Sequence, residues 1–301
     1  NAVVPDIDDP ELAAGQLIQV MNQSPELYES KGFLLELFIP NVMEFTPEKL
    51  YYDGVPIATT MNCENKPLGS GNISLMTGCA ADIVFPTDME DRINKIAFPP
   101  IVDEMAKQHK GLFIWDASIL INKRDGKMYF GEFCSNRPGY NSIFTELAQL
   151  PSTAHFFESL VKKQSPFTLG TVATSIRIFN LHRDDRDVQI LSGMEMKYKP
   201  EIWKDLWFFD AKIDKKGRLV NVGDTWNLAV MTGAGKSINE AVNKMYKNME
   251  GFSFIEAYYR PKADYLSLGY PTALINRLNY GIERNLFRLP FMVKVGDIKS
   301  M

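Results

Sequence analysis

Cysteine and histidine are scarce in this 301-residue chain, and the few present are scattered. There are three cysteines, Cys63, Cys79 and Cys134, and three histidines, His109, His155 and His182. Their spacing matches no zinc motif and no disulfide framework, and no histidine has a second histidine or a cysteine one helical turn away, so a reducing cytoplasm is the expected compartment. No run reaches the ~18 apolar residues needed to cross a bilayer, so no membrane partner is expected. The acidic start, NAVVPDIDDPELAAG, has no basic region of the kind that opens a signal peptide. A basic block is also missing: the net charge is -4, which argues against nucleic acid as a partner. GAGK at 233–236 lacks the spacing of a phosphate-binding P-loop and reads as a turn before a helix. No internal repeat is evident.

What remains is ordinary globular composition, 45% hydrophobic and 23% charged, in a chain long enough for about two domains. Residues 10–32 read as helix, and FLLELFI (33–39) as a short buried strand. Asp53-Gly54 centres a hairpin over 49–61. Residues 62–82, rich in Gly, Asn and Ser, read as a loop. Helix follows over 89–111, broken at Pro99-Pro100, and then a hairpin folds across Lys123–Gly126. Two helices come next. From 168 short strands dominate, closed by an amphipathic helix with a Ser237/Glu240 capping box and a helical tail. The expected fold class is α+β. Residues 1–165 form the main domain, 166–262 a small β-rich domain and 263–301 a helical tail.

The chemistry concentrates on GLFIWDASILINKRDGKMYFGEFCSNRPG (111–139). Asp116 and Glu132 lie eight residues either side of Arg124 and should sit nearly opposite each other on adjacent strands. Two carboxylates so placed repel unless a cation lies between them, and Mg²⁺ takes one or two carboxylates together with phosphate oxygens. The alternative is a pair of solvent-facing acids on an edge hairpin, near Lys123, Arg124 or Lys127. Arg137 offers a bidentate fork to a phosphate or carboxylate, or a surface ion pair.

In this strand pair the chain resembles the ATP-grasp enzymes, in which an acid on one strand and a Glu-x-Asn on the next hold Mg²⁺ against ATP. FLLELFIPNVMEFT and ENKPLGSGNISLMTG resemble the hinge and loop of phosphoribosylamine–glycine ligases, and 219–262 resembles their closing small domain. The resemblance runs from about residue 33 to 262. It implies an ATP-grasp domain with an antiparallel sheet and flanking helices, followed by a small strand-rich domain. It also implies ATP and Mg²⁺ as cofactors, small-molecule carboxylate and amine substrates, and ligation through an acyl phosphate. The implied roles are Glu36, Leu37 and Phe38 for adenine, Glu44 for ribose, and Lys66 and Asn72 in the loop. Asp116, Glu132 and Asn136 would hold the metal, and Arg137 the transferring phosphoryl group.

The chain departs from the pattern at specific places. Cys134 stands where the third metal ligand, an Asn, is usual. Ser74 and Leu75 replace paired glycines, and Gln16 stands in place of a lysine. No N-terminal substrate domain is recognised. These departures motivate an alternative, a divergent ATP-grasp relic that binds a nucleotide or a partner protein without catalysis.

Overall fold

A computed structural model describes residues 9–136, 139–180 and 191–288. By internal contacts the chain divides into two compact units, 1–42 with 122–126, and 43–121 with 127–301. The first contains helices α1 (Pro10–Asn22) and α2 (Pro25–Lys31), separated at Gln23-Ser24 because Pro25 cannot continue the preceding turn. Asp9 caps α1 by accepting from the Glu11 and Leu12 N–H groups. Residues 33–39 form no strand: Leu34, Leu35 and Leu37 are all more than three-quarters exposed. Apolar content alone suggested a buried strand, but a strand needs a pairing partner, and none of the described residues provides one.

The second unit is built on a nine-stranded sheet. Its strands in chain order are β1 (Val42–Tyr52), β2 (Val55–Gly69), β3 (Ile73–Thr87), β4 (Leu112–Asn122), β5 (Met128–Ser135) and β6 (Val172–Asn180). Two short pairs stand outside it: β7 (Lys197–Tyr198) with β12 (Phe252–Ser253), and β9 (Ala211–Ile213) with β10 (Leu219–Asn221). With β8 (Leu206–Phe208), β11 (Asn227–Gly235) and β13 (Ala257–Tyr258), the sheet order is β5-β4-β1-β2-β3-β6-β11-β8, and β13 pairs with β6. β6 and β11 follow residue 165 yet join the sheet of β1–β5. The boundary expected near 165 is therefore not where the compact units divide, because hydrogen bonding from β3 to β6 carries the sheet across it.

Helices α3 (Arg92–Ala97) and α4 (Pro100–Ala106) break at Pro99-Pro100 as expected. α5 (Ser142–Leu147), α6 (Thr153–Val161), α7 (Ile238–Met249), α8 (Ala263–Leu266) and α9 (Leu274–Glu283) complete the helices among the described residues. Ser237 caps α7 by accepting from Glu240 N–H. No helix of the described residues is long and apolar enough to cross a membrane.

Residues 62–82 are not a loop. β2 and β3 run through them as a long hairpin whose turn is Ser70–Asn72. Period-2 alternation explains why the sequence misled. Met61, Cys63, Ile83, Phe85, Trp115, Ala117 and Ile176 point into the main core. The residues between them in sequence, Asn62, Glu64, Asp82, Asp116 and Ser175, are polar yet also buried. They line the other face of the sheet.

Candidate active site

On that second face the sheet register sets the positions. Glu48 on β1 lies opposite Thr60 on β2, Thr46 opposite Asn62, and Glu64 opposite Asp82 on β3. Asp82 in turn lies opposite Ser175 on β6. Over part of this face, α5 and Gly139 close the space. Glu146 of α5 accepts from Thr60 Oγ1 at 2.7 Å, and Thr145 donates to Asp82 at 3.1 Å. Gly139 N–H donates to Glu48 Oε1 at 3.0 Å. A β-carbon at Gly139 would lie 2.0 Å from Glu64 Oε1 and 2.3 Å from Asn62 Nδ2, so only glycine allows this approach.

The carboxyls differ in how they are satisfied. Lys66 Nζ lies 3.0 and 3.1 Å from the two Glu44 oxygens, and Ser118 Oγ donates to Glu44 at 2.7 Å. Burial alone would raise the Glu44 pKa, but the Lys66 charge and these hydrogen bonds offset it and hold the carboxyl below its ordinary value. Asp82 accepts from Ser175 N and Oγ and from Thr145, yet full burial still pushes it up to about 7. Glu64 accepts from Asn62 Nδ2 at 2.8 Å, and burial pushes it up to about 8, with Asp82, Glu44 and Glu48 adding to the rise. Glu48 and Glu146 are wholly buried together, and both are raised, first by burial.

Asp116 is 5% exposed and receives no hydrogen bond among the described residues. Burial pushes it up to about 9, and Glu48, Glu64 and Glu44 add like charge. Its partner across the hairpin is Cys134, not Glu132. The turn is centred later than Arg124, and an irregularity between Ala117 and Ile119 shifts β5 by one further residue. Glu132 is exposed on the edge strand. Burial, followed by the charges of Asp116 and Glu132, raises the Cys134 thiol.

Two expected ligands are engaged elsewhere. Asn136 adopts φ 50° and its Oδ1 accepts from Ile114 N–H at 3.0 Å, while Asn136 N–H donates to Ile114 O. This amide splices the end of the hairpin onto β4 and does not present its oxygen to a metal. Asn72 Oδ1 accepts from Arg260 Nη2 at 2.9 Å and so fixes the β2–β3 turn. Ser74, where the resemblance would place a glycine, keeps a left-handed backbone with φ 75°. Glu36, Leu37 and Phe38 lie in the first unit, in an exposed segment without regular structure. Arg137 lies outside the described residues, as does His182.

Sequence reading missed most of the polar face. Glu48, Asn62, Glu64, Asp82, Glu146 and Arg177 were not singled out. Arg177 is 3% exposed, donates to Asn141 Oδ1 and Tyr140 O at 2.9 Å, and stacks on Tyr140 and Phe209. Its available signal was alternation: IRIFN and MNCENK each place a polar residue between buried apolar ones. Among the described residues, no three or more His, Cys, Asp or Glu side chains are arranged to hold a metal ion.

No protein-family model matches the sequence, and no curated protein matches it. Solved structures do. The phosphoribosylamine–glycine ligase of Thermotoga maritima aligns at 17% identity and TM-score 0.55, over 76% of this chain and 56% of that one. Pyruvate carboxylase from Rhizobium etli aligns at 12% identity and TM-score 0.48, over 84% of this chain and 25% of that one. The phosphoribosylglycinamide synthetase of Anaerococcus prevotii aligns at 12% identity and TM-score 0.46, over 84% and 63%. The first likeness carries the fold, and the other two add no argument. This chain has an ATP-grasp fold resembling that ligase and spans about 56% of its length.

Proposed function

We propose that the protein is an ATP-dependent carboxylate–amine ligase acting with Mg²⁺. One observation carries the reading. Asp116 is a buried carboxylate with no hydrogen-bond donor, beside Cys134 and Glu132 on the neighbouring strand of an ATP-grasp sheet. An acid in that state stays protonated near neutral pH unless a cation stabilises its ionised form, so a bound cation would convert it to a ligand.

The residues fit magnesium. Asp116 and Glu132 supply hard oxygens, and a set too small to enclose an ion by itself suits a metal that keeps waters and phosphate oxygens. Cys134 is a poor donor for it, and Asn136 is held by Ile114. When bound, Mg²⁺ would neutralise the nucleotide phosphates. Lys66, paired with Glu44 and 36% exposed, would meet a phosphate. Arg137 would steady the transferring phosphoryl group. The substrate carboxylate attacks the terminal phosphorus, ADP leaves, and an amine then displaces phosphate from the acyl carbon. No protein nucleophile is required, and catalysis rests on positioning and charge.

A second reading, nucleotide or partner binding without turnover, is favoured by Cys134 at a ligand position and by the residue at Ser74. Calorimetry with Mg–ATP, alongside phosphate release over a panel of carboxylates and amines, separates the two. Turnover that disappears in Asp116→Asn supports the ligase. Near-normal turnover in that variant refutes the assigned site, and binding without release over the whole panel favours the second reading.

A further inference from the structure

Lys49 follows Glu48 on β1 and so points to the opposite face of the sheet, the face that packs against α3 and α4. Its side chain is 10% exposed, its Nζ lies 2.6 Å from Asp103 Oδ1, and it sits over the Tyr51 and Phe98 rings. Tyr51 donates to the same Asp103 oxygen at 2.7 Å. Two N–H groups of Lys49 and the second oxygen of Asp103 therefore have no partner among the described residues. Both residues line a cavity of about 330 Å³, which is within the size range of small-molecule sites.

The lining is of two kinds. Pro56, Met89, Phe98 and Pro100 are apolar. The charged groups form two ion pairs: Lys49 with Asp103, and Lys95 with Glu90 at 2.9 Å, the second pair more than half exposed. The cavity therefore carries two charges of each sign. A phosphate would meet Asp103 and Glu90, and a metal ion would meet Lys49 and Lys95, so an ion of one sign is poorly accommodated. A molecule with an anionic and a cationic group side by side meets both open positions of the Lys49–Asp103 pair. The surroundings are set before any ligand arrives. Asn94 Nδ2 donates to Thr59 Oγ1, Thr87 Oγ1 and Asp88 O, which ties α3 to β2 and β3.

We propose that this cavity binds a free α-amino acid with an apolar side chain, at a site separate from the polar face. The amino-acid carboxylate accepts from Lys49 Nζ, the α-ammonium donates to Asp103 Oδ2, and the side chain lies against Phe98 and Met89. The sheet separates this site from the face lined by Asp116, so the bound amino acid is a ligand and not a reactant there. The site stands on its own geometry and does not depend on the ligase reading.

The test is titration calorimetry of the whole chain with leucine, leucinamide, N-acetylleucine and glycine. Leucine is expected to bind, and the other three at least about ten-fold more weakly, because they lack the carboxylate, the ammonium and the apolar side chain respectively. Lys49→Met and Asp103→Asn should each weaken leucine by about ten-fold or more, in proteins whose circular dichroism matches wild type. Should one variant fail to fold, the other decides. Absence of leucine binding overturns the site, as does undiminished binding in the folded variants or equal binding of leucine and leucinamide. Leucine binding lost in Asp116→Asn but kept in Asp103→Asn would put the ligand on the polar face and overturn the site as well.

Discussion

Glu64→Gln should make the protein more stable at mildly alkaline pH and change little in acid. Glu64 is 8% exposed and its carboxyl is pushed up to about 8, first by burial and then by the charges of Asp82, Glu44 and Glu48. In the unfolded chain it titrates near its ordinary value of 4.5. A carboxyl raised on folding leaves stability intact below the unfolded pKa and removes it as pH rises towards the folded one. Each pKa unit is worth about 1.4 kcal/mol, so between about pH 5 and pH 8 the wild-type carboxyl withdraws roughly 3 kcal/mol. Glutamine has the same shape, still accepts from Asn62 Nδ2, and cannot ionise. Urea denaturation of both proteins across that range should give a stability difference that grows with pH to about 3 kcal/mol in favour of the variant. Asp82 and Asp116 are raised in both proteins, so their share largely cancels in the difference. A flat difference across the range, or one that shrinks as pH rises, would refute the account of this face as an uncompensated acidic interior.

Further predictions follow from packing. Gly139→Ala places a β-carbon 2.0 Å from Glu64 Oε1. It should cost about 1–3 kcal/mol of stability and shift the Glu48 contact made by its N–H, measurable by denaturation. Arg260 is wholly buried, bonded to Asp264 at 2.8 Å, to Asn72 and to the Pro67 carbonyl. Arg260→Met strips Asp264 of its cation and should destabilise by about 3–5 kcal/mol. Amide exchange in 67–76 should speed up more than in β4, because the β2–β3 turn loses two of its bonds. Uniform acceleration across the sheet would indicate a general loss of stability instead.

The sequence by itself determined the parts governed by local chemistry. Asp53-Gly54 required left-handed backbone at both positions, and the structure has φ 49° and 74° there. Pro99-Pro100 had to break a helix, and Ser237 with Glu240 had to start one. The resemblance to the ATP-grasp fold was carried instead by the strand pair over 115–133 and by the shared order of the segments from 33 to 262. Only tertiary structure decided which polar residues matter. Asn62, Glu64 and Asp82 looked like loop residues because polarity usually marks solvent, and a strand with polar residues on one face and core on the other has the same composition as a loop. Their burial depends on α5 and Gly139, which are distant in sequence. The Asp116–Cys134 register could not be read from turn arithmetic, because an irregularity adds a residue to one strand without a local signature. Asn136 kept the identity of a metal ligand and took a different role, because an amide oxygen serves whichever donor is nearest, and folding placed the Ile114 N–H there.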